Sequence, residues 1–422
     1  MKTISIIKAK IISLTPLFIG NDDETVLIYE DENLAFIPAT SIAGSFRAFL
    51  DSIGENTSDL FGDSELNTQS KIYIKDATAK IKGFTKRDNL KINPESGSNV
   101  TGSKRENTYL DKGLEFELIF EIKDYLSQDE TLIFKALKAL DESIIRFGGN
   151  KSSGLGVFKV VEVTQIKFNL KNKEDLLSYL KQDYSKEENV TEKLNEIVIE
   201  NGFVFFNLEG KFTTPLIIKS NNILDLDKPD STSIMDSYND YIIPGSSLKG
   251  ALRSRIECIA NYYSLDNELG ELFGEFKLSR IFANESTLTN EQNKVYFKNR
   301  IDRFTSGTIN NALMQDEPVT AEAVISLIYR KTLNISYDNM VIGLISLALR
   351  DLATENLNLG GDFSIGRGRF KATKMSIKDG QKNIEIDFKN KSISNKNCLD
   401  EYISAIKNYN VRGWKNVNLP VN

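Results

Sequence analysis

The chain has no histidine among its 422 residues. That removes the usual general base, the usual metal-binding imidazole and every serine–histidine or cysteine–histidine nucleophile pair. Any chemistry must rest on carboxylates, Lys, Tyr or a hard cation held by oxygen ligands. Cysteine is nearly absent too. Cys258 and Cys398 cannot frame a disulfide scaffold or fill a zinc site, and they point to a reducing cytoplasm. Long hydrophobic runs are missing: "VIGLISLAL" is too short to span a bilayer. The opening "MKTISIIKAK" alternates like a strand and has no signal-peptide pattern. Acids outnumber bases, 59 to 53, for a net charge of −6. This argues against a surface that binds nucleic acid everywhere, but it leaves room for a local basic groove. With 40% apolar and 27% charged residues, the composition is globular, and the length predicts two or three domains.

One stretch gathers cations. In "YIIPGSSLKGALRSRI", residues 241–256, a Pro-Gly-Ser-Ser turn leads into a helix carrying Lys249, Arg253 and Arg255. A blurred copy, "FIPATSIAGSFRAFL", occupies residues 36–50. Other landmarks recur in the same order. Ile37-Pro38 matches Ile243-Pro244, and "LFG" at 60–62 matches 272–274. "FGGNKSSGLG" (147–156) matches "LGGDFSIGRG" (359–368), with Gly148 and Gly360 212 residues apart. An ordered set of near-constant offsets predicts two related domains, 1–166 and 200–380. Each half reads β-α-β-β-α-β, with Ser or Thr at the cap of the first helix and a polar insertion between the second and third strands. The third strand of the first half alternates Leu114, Phe116, Leu118, Phe120 and Ile122 against Glu115, Glu117 and Glu121. The expected class is α+β, two tandem ferredoxin-like domains with glycine-rich loops. Residues 167–199 read as a charged helical linker and 381–422 as a C-terminal extension that includes the only tryptophan, Trp414.

"IPGSSLKGALRSR", "LFG", "NRIDRFTSGT" and "GGDFSIGRGRF" together resemble the RAMP superfamily, and within it the backbone subunits of type III CRISPR–Cas effector complexes. The resemblance covers both halves and implies two consecutive filament positions fused in one chain. It implies a guide RNA, a complementary target RNA and other complex subunits as partners, with no membrane. It further implies that the Ile-Pro helix and the glycine loop hold the guide backbone, and that the insertion forms a thumb interrupting the guide–target duplex. An aspartate after the first strand would cleave the target.

Carried over residue by residue, the guide-holding positions are Ser246, Ser247, Lys249 and Arg253, with Ser41 and Arg47 in the first half. The physical case is the free N–H groups and dipole of a helix start, plus two cations four apart on one face. An ordinary capped helix with solvated cations is the plain alternative. From the glycine loops come Gly148, Gly149, Asn150 and Lys151, and Gly360, Gly361 and Arg367. Neither loop continues as a P-loop, and both also serve as tight turns. The first half departs from the pattern: Ala39, Ala43 and Leu155 stand where the second has Gly245, Lys249 and Arg367, which predicts a weaker grip. The thumb candidates are Arg300, Arg303 and Phe304 in the second half and Lys86, Arg87, Lys104 and Arg105 in the first, in Gly/Ser/Asn-rich segments read as mobile. The spacing from Ile-Pro that the resemblance implies for the catalytic aspartate falls on Asp23 and Asp230, with Asp22 and Asp236 as fallbacks, and the metal-assisted role expected of them calls for Mg²⁺ or Mn²⁺ as cofactor. A purely structural scaffold is the competing reading. A guide-processing endoribonuclease of the same superfamily is disfavoured by the lack of histidine.

Overall fold

The computed structural model describes residues 2–20, 28–29, 32–63, 67–93, 98–199, 202–220, 229–265, 268–274, 278–310, 312–332 and 334–409. The chain forms two compact units that part between residues 201 and 202.

The first unit contains β1 (Thr3–Ser13), α1 (Ala39–Ser52), β2 (Ile72–Ile74), β3 (Glu115–Lys123), α2 (Ser127–Asp141) and β4 (Phe158–Asn169). The sheet runs β4-β1-β3-β2 with every pair antiparallel, which is the ferredoxin-like order. The strand β3 shows why: Phe116, Leu118, Phe120 and Ile122 are buried while Glu115 and Glu117 are exposed. On the buried face Phe46 of α1 stacks on Phe120 at 5.3 Å and Phe147 meets Phe158 edge-on at 5.4 Å. Each buried ring of this kind contributes roughly 2–3 kcal/mol.

The second unit repeats the plan with β5 (Phe203–Phe212), α3 (Gly245–Tyr262), β6 (Ile281–Ala283), β7 (Ser286–Asn293), β8 (Val319–Arg330), α4 (Ile335–Ala353) and β9 (Arg369–Asp379). Its sheet runs β9-β5-β8, and both β6 and β7 pair with β8. The helix α3 buries Leu248, Leu252, Ile256 and Ala260 at four-residue steps. A register shift falls between Lys10 and Ile11 on β1 and between Glu209 and Gly210 on β5, so even the bulge is repeated. The tandem ferredoxin-like class read from the sequence is the observed one.

Three segments differ from expectation. The second strand is broken: β2 and Ala77–Lys80 flank Lys75-Asp76, as β6 and β7 flank Asn284-Glu285. Residues 167–199 are not a helical linker. They contain a short α-helix, Lys173–Leu180, a 3-10 turn, Thr191–Leu194, and the Glu188–Asn189 strand that extends the first sheet beside β4. Tyr179 and Tyr184 pack on Ile4, Ile6, Ile166 and Phe168, covering the second face of that sheet. The described part of the extension is likewise integral to the second unit. Lys382–Asp387 adds a strand beside β9, and the Lys396–Asn408 helix packs on α4 so closely that a Cβ on Gly343 would stand 2.3 Å from the Tyr402 carbonyl. Trp414 lies outside the described residues. Among the described residues no helix is long and apolar enough to cross a membrane.

Candidate nucleic-acid interface

The two Ile-Pro helices start after Pro38 and Pro244, which are themselves the N-caps and form no side-chain cap bond. The expected serine cap does not form. Ser41, Ser246 and Ser247 lie within the first turn instead, the first two exposed. At α1 the first N–H is already engaged: Ala39 donates to Asp76 Oδ1 at 2.6 Å, so a carboxylate sits where the dipole favours an anion.

The glycine loops pack against the segment leaving the first strand. Gly149 N donates to the Phe18 carbonyl at 2.6 Å and Gly361 N to that of Ile217 at 2.8 Å. Gly360 has φ of +78°, and a Cβ there would stand 2.4 Å from the Ile217 oxygen. Close packing therefore accounts for Gly148, Gly149 and Gly360, whereas a Cβ on Gly361 would make only ordinary contacts.

In the first unit these elements enclose an open cleft of about 650 Å³, lined by Phe18, Ser41, Gly44, Gly148, Gly149 and Lys151 among others. It unites four of the expected RNA-binding residues. Burial pushes the Lys151 amine down. Asn150 beside it is left-handed and exposed. Gly44 was not singled out by sequence, yet a Cβ there would meet nothing within 4 Å, and the same is true of Gly250 in α3. A glycine inside a helix costs about 0.5–1 kcal/mol relative to alanine, and no internal contact offsets it.

The cations of α3 have partners within the chain. Lys249 Nζ donates to Ser279 Oγ at 2.9 Å, and burial, with Arg253 adding to it, pushes the amine down to about 8. Arg253 pairs with Glu257 at 2.7 Å and lies over the Phe273 ring, while Arg47 faces Asp51 at 3.8 Å. Arg255 binds the buried Asp351 at 2.6 Å, which makes it a packing residue.

Both insertions are hairpins rather than plain loops. The first pairs Phe84–Asn89 with Arg105–Leu110, and its Lys86 and Lys104 face Glu106 and Asp88. Arg87 is buried. The second pairs Tyr296–Lys298 with Met314–Glu317. At its tip Asp302 Oδ1 accepts from the Phe304 and Thr305 N–H groups, and those bonds hold its carboxyl below the usual range. That turn presents Phe304 with 98% of its surface exposed, beside exposed Arg300 and Arg303.

Of the candidate aspartates, Asp22 and Asp23 lie outside the described residues. Asp230 is exposed and its Oδ2 accepts from Gln315 N at 2.7 Å, which places it at the base of the second hairpin. Asp236 is buried and builds a turn, accepting from Tyr238 N and Asp240 N.

Arg367 is not a free surface cation. It is buried, bonded to Asp316 of the hairpin base and, at 3.2 Å, to Asp362 of the glycine loop, with the Tyr296 ring 5.3 Å away. Lys298 bonds both acids, reaching Asp316 at 3.0 Å. Burial pulls the Asp362 carboxyl up, but Lys298, Lys219 and Arg367 outweigh it and the net shift is downward. Sequence reasoning missed Lys298, Asp316 and Asp362.

A family model described as the RAMP superfamily matches residues 10–159 and 209–371, one match in each unit. The chain belongs to the RAMP superfamily. No curated protein matches it. A similar solved chain belongs to a cryo-EM structure described as the Type III-B Cmr-beta bound to cognate target RNA. The two are 17% identical with a TM-score of 0.33, over 39% of this RAMP chain and 61% of the other.

Proposed function

We propose that the chain is a tandem backbone subunit of a type III CRISPR RNA-guided complex. It holds a guide RNA, meets other subunits of the complex, and cleaves complementary target RNA at Asp23 and Asp230 with Mg²⁺ or Mn²⁺. The observation that carries the reading is the cleft joining Ser41, Gly44, Gly148, Gly149 and Lys151. Its helix glycine, open to solvent and repeated as Gly250, suits the close approach of a sugar–phosphate backbone.

Among the described residues no group of three or more acids, cysteines or histidines could cage a metal. An exposed Asp230 with one oxygen on a backbone N–H fits a hydrated Mg²⁺, which takes one or two carboxylates and fills its shell with water and phosphate oxygens. A divalent cation bound there supplies charge neutralisation at the scissile phosphate. The chain's own part is positional. The first-unit cleft and the matching helix and glycine loop of the second unit hold the guide backbone, and the hairpin tip presents Phe304 for stacking on bases. Unstacking beside the hairpin frees a target 2′-OH for the in-line attack that a regular duplex prevents.

The test maps target fragments from guide-loaded complexes containing Asp23→Ala or Asp230→Ala. Each change removes one cut and leaves target binding intact; persistence of every cut overturns the assignment. A binding-only scaffold is the second reading, favoured by the Asp230–Gln315 bond, which gives that carboxylate a structural duty. In that case wild-type protein yields no cut at the position Asp230 serves.

A further inference from the structure

The junction between hairpin base and glycine loop is built in both units, but from different chemistry. The pairings Leu17–Leu110 and Leu216–Val319, together with Arg87–Asn107 and Tyr296–Asp316, align the two hairpins. Asn89 then matches Lys298, and Asn107 matches Asp316. The glycine loops align Asn150 with Asp362 and Leu155 with Arg367. In the first unit the three asparagine amides converge on the hydroxyl of buried Tyr109, at 3.3, 3.1 and 3.5 Å. In the second unit the four matching positions form the Lys298–Asp316–Asp362–Arg367 network. One junction is joined by amides on a tyrosine hydroxyl, the other by an ion network.

The charged junction leads to Asp230. Asp316 sits on Met314–Glu317, and the preceding residue, Gln315, donates its N–H to Asp230. The strand that follows Asp230, Ser231–Thr232, pairs in parallel with the same segment, Ser231 opposite Asp316. Asp316 is gripped through Oδ2 by both cations, while Oδ1 is buried without a hydrogen-bond partner among the described residues. Its hold on the glycine loop therefore runs through Oδ2 alone.

We propose that Arg367 is a positioning residue for the second site. By holding Asp316 it fixes the strand that in turn fixes Asp230, whereas the first half joins the matching positions through amides on the Tyr109 hydroxyl. The inference rests on the reading of Asp230 as the catalytic carboxylate.

The test uses the full chain in its guide-loaded complex, with the rate of each target cut read separately. Replacing Arg367 by the first half's residue, Arg367→Leu, slows the cut that Asp230→Ala abolishes by about 10- to 100-fold, as expected for misplacement of a reacting group. The slowing falls on kcat, with the target concentration for half-maximal rate unchanged. The first-half cut in the same polypeptide stays at its wild-type rate and serves as the folding control. Arg367→Lys, which keeps the charge, restores most of the rate, and the isosteric Asp316→Asn reproduces the loss. In the double variant the two effects do not add, because one link is broken twice. An unchanged second cut in both Arg367→Leu and Asp316→Asn overturns the positioning role while leaving the catalytic reading intact. Unchanged cuts in Asp230→Ala overturn both.

Discussion

Lys249 Nζ donates to the hydroxyl of Ser279 at 2.9 Å, and the burial that accompanies this bond brings the amine to about 8, within reach of ordinary buffers. Unfolded, the same amine titrates near its usual value of about 10.4, so between the two values the unfolded chain binds more protons. This residue therefore makes the fold more stable as pH rises from about 8 to about 10. If Lys249 holds a guide phosphate, RNA binding moves the other way, because the neutral amine would give that phosphate up. Affinity for a non-cleavable guide is expected to fall between pH 7 and pH 9, by up to about threefold to tenfold, and Lys249→Arg, which stays charged, abolishes the trend. Titrations at fixed salt check it. Lys249→Ala also lowers the salt slope by about 0.7 per lost phosphate contact.

Gly44 and Gly250 set stability against binding. Gly44→Ala or Gly250→Ala fills empty space with a methyl group and stabilises the helix by about 0.5–1 kcal/mol. If a guide backbone runs over these helices, the same methyl group intrudes on it and weakens guide affinity about 3- to 10-fold. Thermal melts and filter binding on the same preparations read both signs.

Gly368 behaves differently. Its φ is +73°, and a Cβ would stand 1.8 Å from the Leu359 carbonyl oxygen. Gly368→Ala costs about 2 kcal/mol or more of unfolding free energy, measured by denaturant titration.

Phe304 has almost nothing to lose in the free protein. Phe304→Ala shifts stability by less than about 0.5 kcal/mol, as for an isolated surface side chain. If the ring stacks on a base, its removal costs about 1–3 kcal/mol of that contact and slows target cleavage without changing guide affinity.

The repeat, the strand alternation of β3 and the two Ile-Pro helices were legible because each is a local pattern that burial enforces. The charged junction was not. Arg367 and Asp316 are 51 residues apart and meet only through the pairing of the hairpin base with its neighbours. Comparison of the halves concealed it further, since the first half places Asn and Leu at those positions. The segment 167–199 was misread for a related reason: its charges suggest solvent, whereas Tyr179 and Tyr184 find an apolar sheet face that only the folded β1 and β4 provide. Proline as N-cap escaped because the serines beside it match a capping pattern they do not fulfil.

The central claim is that both units of one polypeptide hold the guide RNA. Ultraviolet cross-linking of the guide-loaded full chain, followed by mass spectrometry of the adducts, tests it most directly. The account predicts adducts in both units: around Phe18, Ser41 and Lys151 in the first, and around Ile217, Ser247 and Asp362 in the second. Adducts confined to one unit, or to neither, would contradict it.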